Sequence, residues 1–159
     1  MGTRAEALAD ELQQVPDEVA ACIEAVPDEA WQRASAAEQC TVAALACHIA
    51  DGYRNILDSL VKPITEQREG PRFSQEDLAQ WNAAAAEANA AQPKSTALER
   101  LRTEAPPAIA YVRTLSDEQL DRSAPLPFGG DPMAAEAVIT HILIGHPRGH
   151  LASMQAATA

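Results

Sequence analysis

Residues 40–61 read CTVAALACHIADGYRNILDSLV, and the apolar residues in this stretch recur every three or four positions. That period places them on one face of an α-helix. Thr41 is of a residue type that often accepts a hydrogen bond at the start of a helix, and Pro63 follows the stretch. The sequence therefore predicts a helix from Thr41 to about Val61. Its buried stripe is predicted to contain Val42, Leu45, Ile49, Ile56 and Leu60.

The rest of the chain has the same helical character. Alanine, the strongest helix former, occurs 34 times, and only six residues are aromatic. The alternation of apolar and polar residues that strands need is missing from the sequence. We therefore predict an all-α fold, in one domain over residues 1–159. Further helices are predicted at residues 4–25, 74–91, 96–115 (with a capping box at its start) and 133–154.

A short internal echo suggests how the helices pair. Residues 26–33, VPDEAWQR, are similar to residues 115–122, LSDEQLDR. Each copy is predicted to be a turn that ends one helix and precedes a loop leading to a histidine-bearing helix. Two helix pairs related by a rough two-fold axis, with residues 62–73 as the long crossover, would explain this echo. Eight residues also leave chance similarity open.

The charge of the chain excludes several partners. The formal net charge is −11, and the 12 Lys and Arg residues are scattered rather than clustered. Neither a nucleic acid nor an anionic membrane surface is expected to bind such a chain. No apolar run approaches a membrane span, and the N-terminal segment lacks the apolar stretch of a signal peptide. Together with three cysteines that form no CxxC pair, this predicts a cytoplasmic protein.

Three of the four histidines are candidate metal ligands. His146 and His150 are four residues apart, so their rings share one helix face and continue the predicted core stripe. His48 lies at the edge of the stripe on the second helix, whereas His141 is predicted to face solvent. Three imidazoles would leave at least one metal coordination position open. From the residues alone, a metal site and its alternative are equally open. The alternative is a chance spacing of His146 and His150 together with an ordinary half-buried His48.

Two segments carry a family resemblance. Residues 40–51, CTVAALACHIAD, resemble the WTVxELLxHLxD signature of the DinB-like superfamily. Residues 145–154, GHPRGHLASM, are similar to its second signature, HxxxHxxQ. This superfamily includes mycothiol-dependent maleylpyruvate isomerases and YfiT-like hydrolases. The chain departs from the pattern at Cys40, which replaces Trp, at Pro147 and Gly149 between the histidines, and at Gln155, which is shifted from the expected position.

The resemblance implies an antiparallel four-helix bundle, an extra helical segment in the crossover, and a homodimer. It also implies one divalent metal held by His48, His146 and His150. Three imidazoles suit zinc, nickel, copper or iron, so the metal is not identified. The resemblance also implies a small-molecule substrate. The implied activity is that of a metal-dependent S-transferase or isomerase that uses mycothiol or bacillithiol, or of a hydrolase.

The remaining site candidates are weaker, and no catalytic residue is assigned. Asp51, one turn after His48, could orient an imidazole, although a solvated carboxylate is the simpler interpretation. Trp81 and Asn82 on the crossover helix could line a substrate pocket, although Trp81 is predicted to belong to the core instead. The alternative function is a non-catalytic dimeric binding or sensor module with a structural metal. A helical interaction protein without a metal is a third alternative.

Overall fold

Four helical runs form the body of the protein. A computed structural model describes residues 2–159. The bounds of its helices are α1 Thr3–Ala25, α2 Val42–Ile56, α3 Lys62–Glu66, α4 Gln75–Asn89, α5 Lys94–Arg113, α6 Asp117–Asp121, α7 Ala135–Val138 and α8 Gly145–Thr158. A π-helical segment, Leu57–Val61, joins α2 to α3, and another, Ile139–Ile144, joins α7 to α8. A single 3₁₀ turn spans Asp28–Ala30.

The four runs are α1, α2 with α3, α5, and α7 with α8, and they pack around one apolar core. Helix α5 packs against α1 and α2, and α8 packs against the same two helices, while α4 lies along α2. The apolar stripe predicted for the second helix is largely buried, with Val42 and Ile49 fully so and Ile56 at its edge. The predicted all-α, four-helix-bundle class is confirmed. Among residues 2–159, no helix combines the length and apolar character required to cross a membrane.

Each π-helical segment lies just before a proline. A proline has no N–H and its ring crowds the carbonyl four residues earlier, which for Pro63 is that of Ser59 and for Pro147 that of Leu143. Both carbonyls belong to the π-helical segments, where the wider turn accommodates the lost hydrogen bond. The prediction that the second helix ends before Pro63 was therefore wrong. The helical run continues to Glu66.

Two other boundaries were also wrongly predicted. The third long helix begins at Lys94 and not at a capping box on Thr96, because the carbonyl of Pro93 already accepts the amide of Thr96 at 3.0 Å. Residues 116–120 are more than a turn, since Ser116 and Gln119 form a capping box that begins α6.

Two small hairpins were not predicted. Strands β1 (Ala34–Ser35) and β2 (Cys40–Thr41) pair antiparallel, as do β3 (Ser123–Leu126) and β4 (Gly129–Ala134). The second hairpin occupies residues 123–134, where a loop was predicted between the second octapeptide and the last helix. Strands β1 and β2, with two residues each, are too short for an alternating pattern, and β4 is exposed over its first four residues, so no apolar period marks it.

The two hairpins close in equivalent ways, which supports the internal echo. The carbonyl of Arg33 accepts the amide of Val42, the first residue of α2, at 3.0 Å. The carbonyl of Arg122 accepts the amide of Ala135, the first residue of α7, at 2.8 Å. Arg33 and Arg122 are the last residues of the two similar octapeptides. Each repeat is thus followed by a hairpin, and each hairpin is followed by a helical run that carries histidine.

Candidate metal centre

The start of α2 is fixed by Thr41. Its hydroxyl accepts the amide of Ala44 at 3.1 Å, as predicted for an N-cap, and donates to the carbonyl of Ala90 at 2.8 Å. The second contact ties the start of α2 to the end of α4. His48 lies less than two turns further along this anchored helix, so the cap also determines the height of its ring in the bundle.

The rings of His48, His146 and His150 form one cluster. The ring centroids are 4.7 Å apart for His48 and His146, 4.8 Å for His48 and His150, and 4.5 Å for His146 and His150. One nitrogen of each ring lies within 4.8 Å of the others. Helices α2 and α8 therefore bring the ring of His48 to two rings that lie about a hundred residues later in the sequence.

The separation of the two innermost nitrogens fits a shared cation. Nε2 of His48 lies 2.9 Å from Nε2 of His146. Two ligands on bonds of ~2.1 Å at a right angle to one another are about 3 Å apart, and at a tetrahedral angle about 3.4 Å apart. The same 2.9 Å separation also suits a hydrogen bond between two neutral rings. A cation would thus need only small movements of the rings of His48 and His146, which already face each other.

The other nitrogen of the His146 ring is buried without a partner. Nδ1 of His146 is buried and has no hydrogen-bond partner among the residues described. Burying such an atom costs free energy that no contact within the protein offsets. Since Nε2 is the atom of this ring that faces His48, a cation held there would leave Nδ1 without a partner, and the cost is part of burying this imidazole.

The pKa values of two of the rings, those of His48 and His146, are lowered. Burial, with the nearby His48 and His150, lowers the pKa of His146 to about 3. Burial and the proximity of His150 also lower the pKa of His48. Both rings are therefore neutral near pH 7, and a neutral imidazole is the form that binds a metal.

Gly52 makes room for His146. A Cβ atom at position 52 would lie 2.7 Å from Cε1 and 2.9 Å from Nδ1 of His146, closer than real Cβ contacts. The imidazole thus packs directly against the backbone of α2, one turn after His48. Sequence reasoning missed this residue, because a glycine inside a helical pattern indicates close approach but not what approaches.

Glu38 contacts the third ring. Its Oε1 lies 2.9 Å from Nδ1 of His150, and the two side chains are 24% and 21% exposed. Burial would raise the pKa of Glu38, but hydrogen bonds from Ser153 and His150 outweigh it and lower the pKa. Sequence reasoning missed Glu38 as well, since it lies in the hairpin turn before α2, where no helical period places it.

Comparison with known proteins agrees with this arrangement. The sequence profile of the DinB superfamily matches residues 11–154. The chain belongs to the DinB superfamily. The match includes all three clustered histidines of this DinB protein, and the predicted family is confirmed, although nothing points to the maleylpyruvate isomerase subgroup. A search of functionally curated proteins found no match.

Two solved structures share the fold of this DinB-superfamily chain. YfiT from Bacillus subtilis, described as a probable metal-dependent hydrolase with an unusual four-helix bundle topology, is 19% identical, with a TM-score of 0.78. The likeness covers 99% of this chain and 87% of YfiT. An uncharacterised protein from Clostridium difficile 630 is 11% identical, with a TM-score of 0.75, over 98% of this chain and 96% of that one. At these identities the likeness establishes the fold alone.

The other candidates of the sequence analysis lie apart from the rings in this DinB protein. Oδ2 of Asp51 accepts a hydrogen bond from Nη1 of Arg100 at 3.1 Å, so this carboxylate faces an arginine and not an imidazole. Trp81 is 55% exposed, and the prediction that it belongs to the core was wrong. Asn82, next to it, is exposed as well. His141 is exposed, as expected.

Helix α4 explains the exposure of Trp81. Only Asn89 of this helix is buried, so α4 covers α2 without entering the core. Trp81 packs edge-on against Phe73, with ring centroids 5.1 Å apart, rather than into the bundle. A role for Trp81 or Asn82 in binding a substrate stays a prediction.

Proposed function

We propose that this DinB-superfamily protein is a metal-dependent enzyme whose divalent cation is held by His48, His146 and His150. The observation that carries the proposal is the cluster of three half-buried imidazoles with one nitrogen each within 4.8 Å of the others. The lowered pKa values of His48 and His146 add support, because they keep both lone pairs available near neutral pH.

The number of ligands favours a catalytic role over a structural one. Structural zinc sites are closed by four protein ligands, whereas catalytic sites use three and leave a position open. Within residues 2–159, the clustered donors are the three histidines alone. Cys47 is buried in the core, and Glu38 is engaged with the far nitrogen of His150.

The reaction class follows from the chemistry of such a site. A divalent cation held by the three imidazoles would act as a Lewis acid, which lowers the pKa of a coordinated water or thiol and polarises a carbonyl group. We infer hydrolysis of a small-molecule substrate as the first candidate, in line with the description of YfiT. Transfer or isomerisation with mycothiol or bacillithiol is the second, and rests on the family resemblance.

Metal analysis is the first test. The purified protein is expected to contain about one equivalent of zinc, nickel or iron. At a metal concentration 100 times its Kd, binding should stabilise the fold by about 2.7 kcal/mol. For a domain of this size that corresponds to an increase in Tm of about 5–11 °C. The His146→Ala and His48→Ala variants should lose this increase, and His141→Ala, which removes an exposed histidine, should retain it.

Activity assays then separate the reaction classes. A panel of ester, amide and electrophile substrates, each with and without mycothiol or bacillithiol, distinguishes hydrolysis from thiol-dependent turnover. Activity should vanish on chelation and in His146→Ala, and return when metal is added back to the chelated wild type. Full activity after chelation would refute the proposal, and a non-exchangeable metal without any turnover would favour the structural role.

We also propose that the protein forms a homodimer, as the family resemblance implies. Size-exclusion chromatography with light scattering should give about twice the 16.9 kDa mass of one chain. A monomer at micromolar concentration would contradict this proposal without affecting the metal centre.

A further inference from the structure

The turn between β1 and β2 is a rigid support beside the third ring. Gln39 has a φ of 55°, in the left-handed region that a non-glycine residue rarely adopts. Its amide donates to the carbonyl of Ser35 at 2.8 Å, which closes the turn. Residues at both ends of the turn, Ser35 and Cys40, pair in the hairpin. Glu38 is therefore held on a closed turn rather than on a free loop.

The hairpin also links the two ligand-bearing helices. Its second strand ends at Thr41, the residue that caps the helix carrying His48. Only three residues before that cap, the Glu38 carboxylate reaches across to Nδ1 of His150 on α8. The same short segment thus contacts one ligand ring directly and determines where the helix of another begins.

The contact selects one state of the imidazole. A neutral imidazole carries its single proton on either Nδ1 or Nε2, and an ionised carboxylate can only accept a hydrogen bond. With Glu38 at 2.9 Å, the proton of His150 is placed on Nδ1 and the lone pair is left on Nε2. His48 and His146 likewise turn their Nε2 atoms toward each other.

We propose that Glu38 is the positioning residue of the metal centre, which selects the Nδ1–H tautomer of His150 and fixes the orientation of its ring. This inference rests on the proposed metal-binding function. Carboxylates that hold the far nitrogen of a ligand histidine typically change metal affinity 10–100-fold when removed. Among the clustered rings, His150 alone has such a partner, because Nδ1 of His146 has none and His48 contacts His146.

The test compares Glu38→Ala and Glu38→Gln with Glu11→Gln. Glu11 is the control, because its carboxylate accepts a hydrogen bond at 2.6 Å from Arg148, two residues before His150 on the same helix. Its side chain is more exposed than that of Glu38, at 43% against 24%. Two measurements are made on each protein. Long-range ¹H–¹⁵N NMR of the metal-free protein at pH 8 reports the tautomer of His150, and competition with a chromophoric chelator gives the Zn²⁺ affinity.

The wild type and Glu11→Gln should show the Nδ1–H tautomer and equal Zn²⁺ affinity. Glu38→Ala should shift His150 toward the Nε2–H tautomer and weaken Zn²⁺ binding about 10–100-fold. Glu38→Gln should partly restore both, because an amide oxygen still accepts from Nδ1–H. Circular dichroism verifies that each variant is folded.

An unchanged tautomer in folded Glu38→Ala, with an affinity within about two-fold of wild type, would overturn the role of Glu38. The two proposals fail separately. If the wild type binds no Zn²⁺, Ni²⁺ or Fe²⁺, the proposed function fails, while the NMR result still decides whether Glu38 selects the tautomer.

Discussion

Replacing Gly52 with alanine should damage the metal centre while leaving the helix intact. The added Cβ would lie 2.7 Å from Cε1 of His146, and ordinary contacts of this kind begin at 3.4 Å. The ring must therefore move by roughly 0.7 Å or α2 must move away from α8. Because ligand positions in metal sites are specified to about 0.2 Å, a shift of this size should weaken metal binding by at least about tenfold.

The stability of Gly52→Ala follows from two opposing contributions. Alanine in a helix interior is favoured over glycine by about 1 kcal/mol. Forcing an extra carbon into a packed interior costs about 1–3 kcal/mol. The net change should be a loss of about 0–2 kcal/mol, small enough for the metal-free variant to remain folded.

Gly149→Ala is the matched control. Gly149 also lies on a ligand-bearing helix, between His146 and His150, but a Cβ there meets nothing within 4 Å. This variant should gain up to about 1 kcal/mol and bind metal like the wild type. Urea denaturation and isothermal titration with Zn²⁺ measure both quantities. A folded Gly52→Ala protein with wild-type affinity would refute the close packing of His146 on α2.

Three further predictions concern neighbouring groups. Tyr53→Phe should raise the free energy of unfolding by about 1 kcal/mol in urea, because the buried hydroxyl of Tyr53 has no hydrogen-bond partner among residues 2–159; a loss instead would reveal a partner for that hydroxyl. With EDTA present, stability should fall as the pH drops from 6.5 toward about 3, because the folded-state pKa of His146 lies below its ordinary value, so the unfolded chain binds more protons in that window. The slope of urea-derived stability against pH should be shallower in His146→Ala, and an equal slope would contradict this assignment. Asp51→Asn should cost less than about 1 kcal/mol of stability in a thermal melt, since the ion pair of Asp51 with Arg100 is about a third exposed. The Zn²⁺ affinity of this variant should be unchanged, and a tenfold loss of affinity would show that Asp51 contributes to the metal centre.

Much of the fold could be predicted because the evidence for it is local. The apolar period of residues 40–61 and the N-cap at Thr41 both describe contacts within one helix, and both are present in the structure. The helix boundary wrongly predicted at Pro63 also has a local cause. Predicting it correctly requires knowing that a π-helical segment accommodates the missing hydrogen bond. A rule that proline ends a helix does not contain that alternative.

The candidate site could be predicted only in part. Spacing puts His146 and His150 on one helix face, because the α-helix has a fixed geometry. The contributions of Glu38 and Gly52 arise across elements, from a hairpin turn and from a close helix–helix approach, and no period in the sequence encodes either. Trp81 was misassigned for a related reason, since an apolar side chain on a helix enters the core only if that helix does.

The amino-acid sequence alone therefore determined the helical class, the start of the ligand-bearing second helix and the shared face of two histidines, because each depends on residues within a few turns of one another. The tertiary structure decided that His48 meets that pair, that the ring of His146 packs on Gly52 and that Glu38 contacts the ring of His150. Those contacts join residues far apart in the chain, and their distances are set by how α2, α8 and the first hairpin pack in three dimensions.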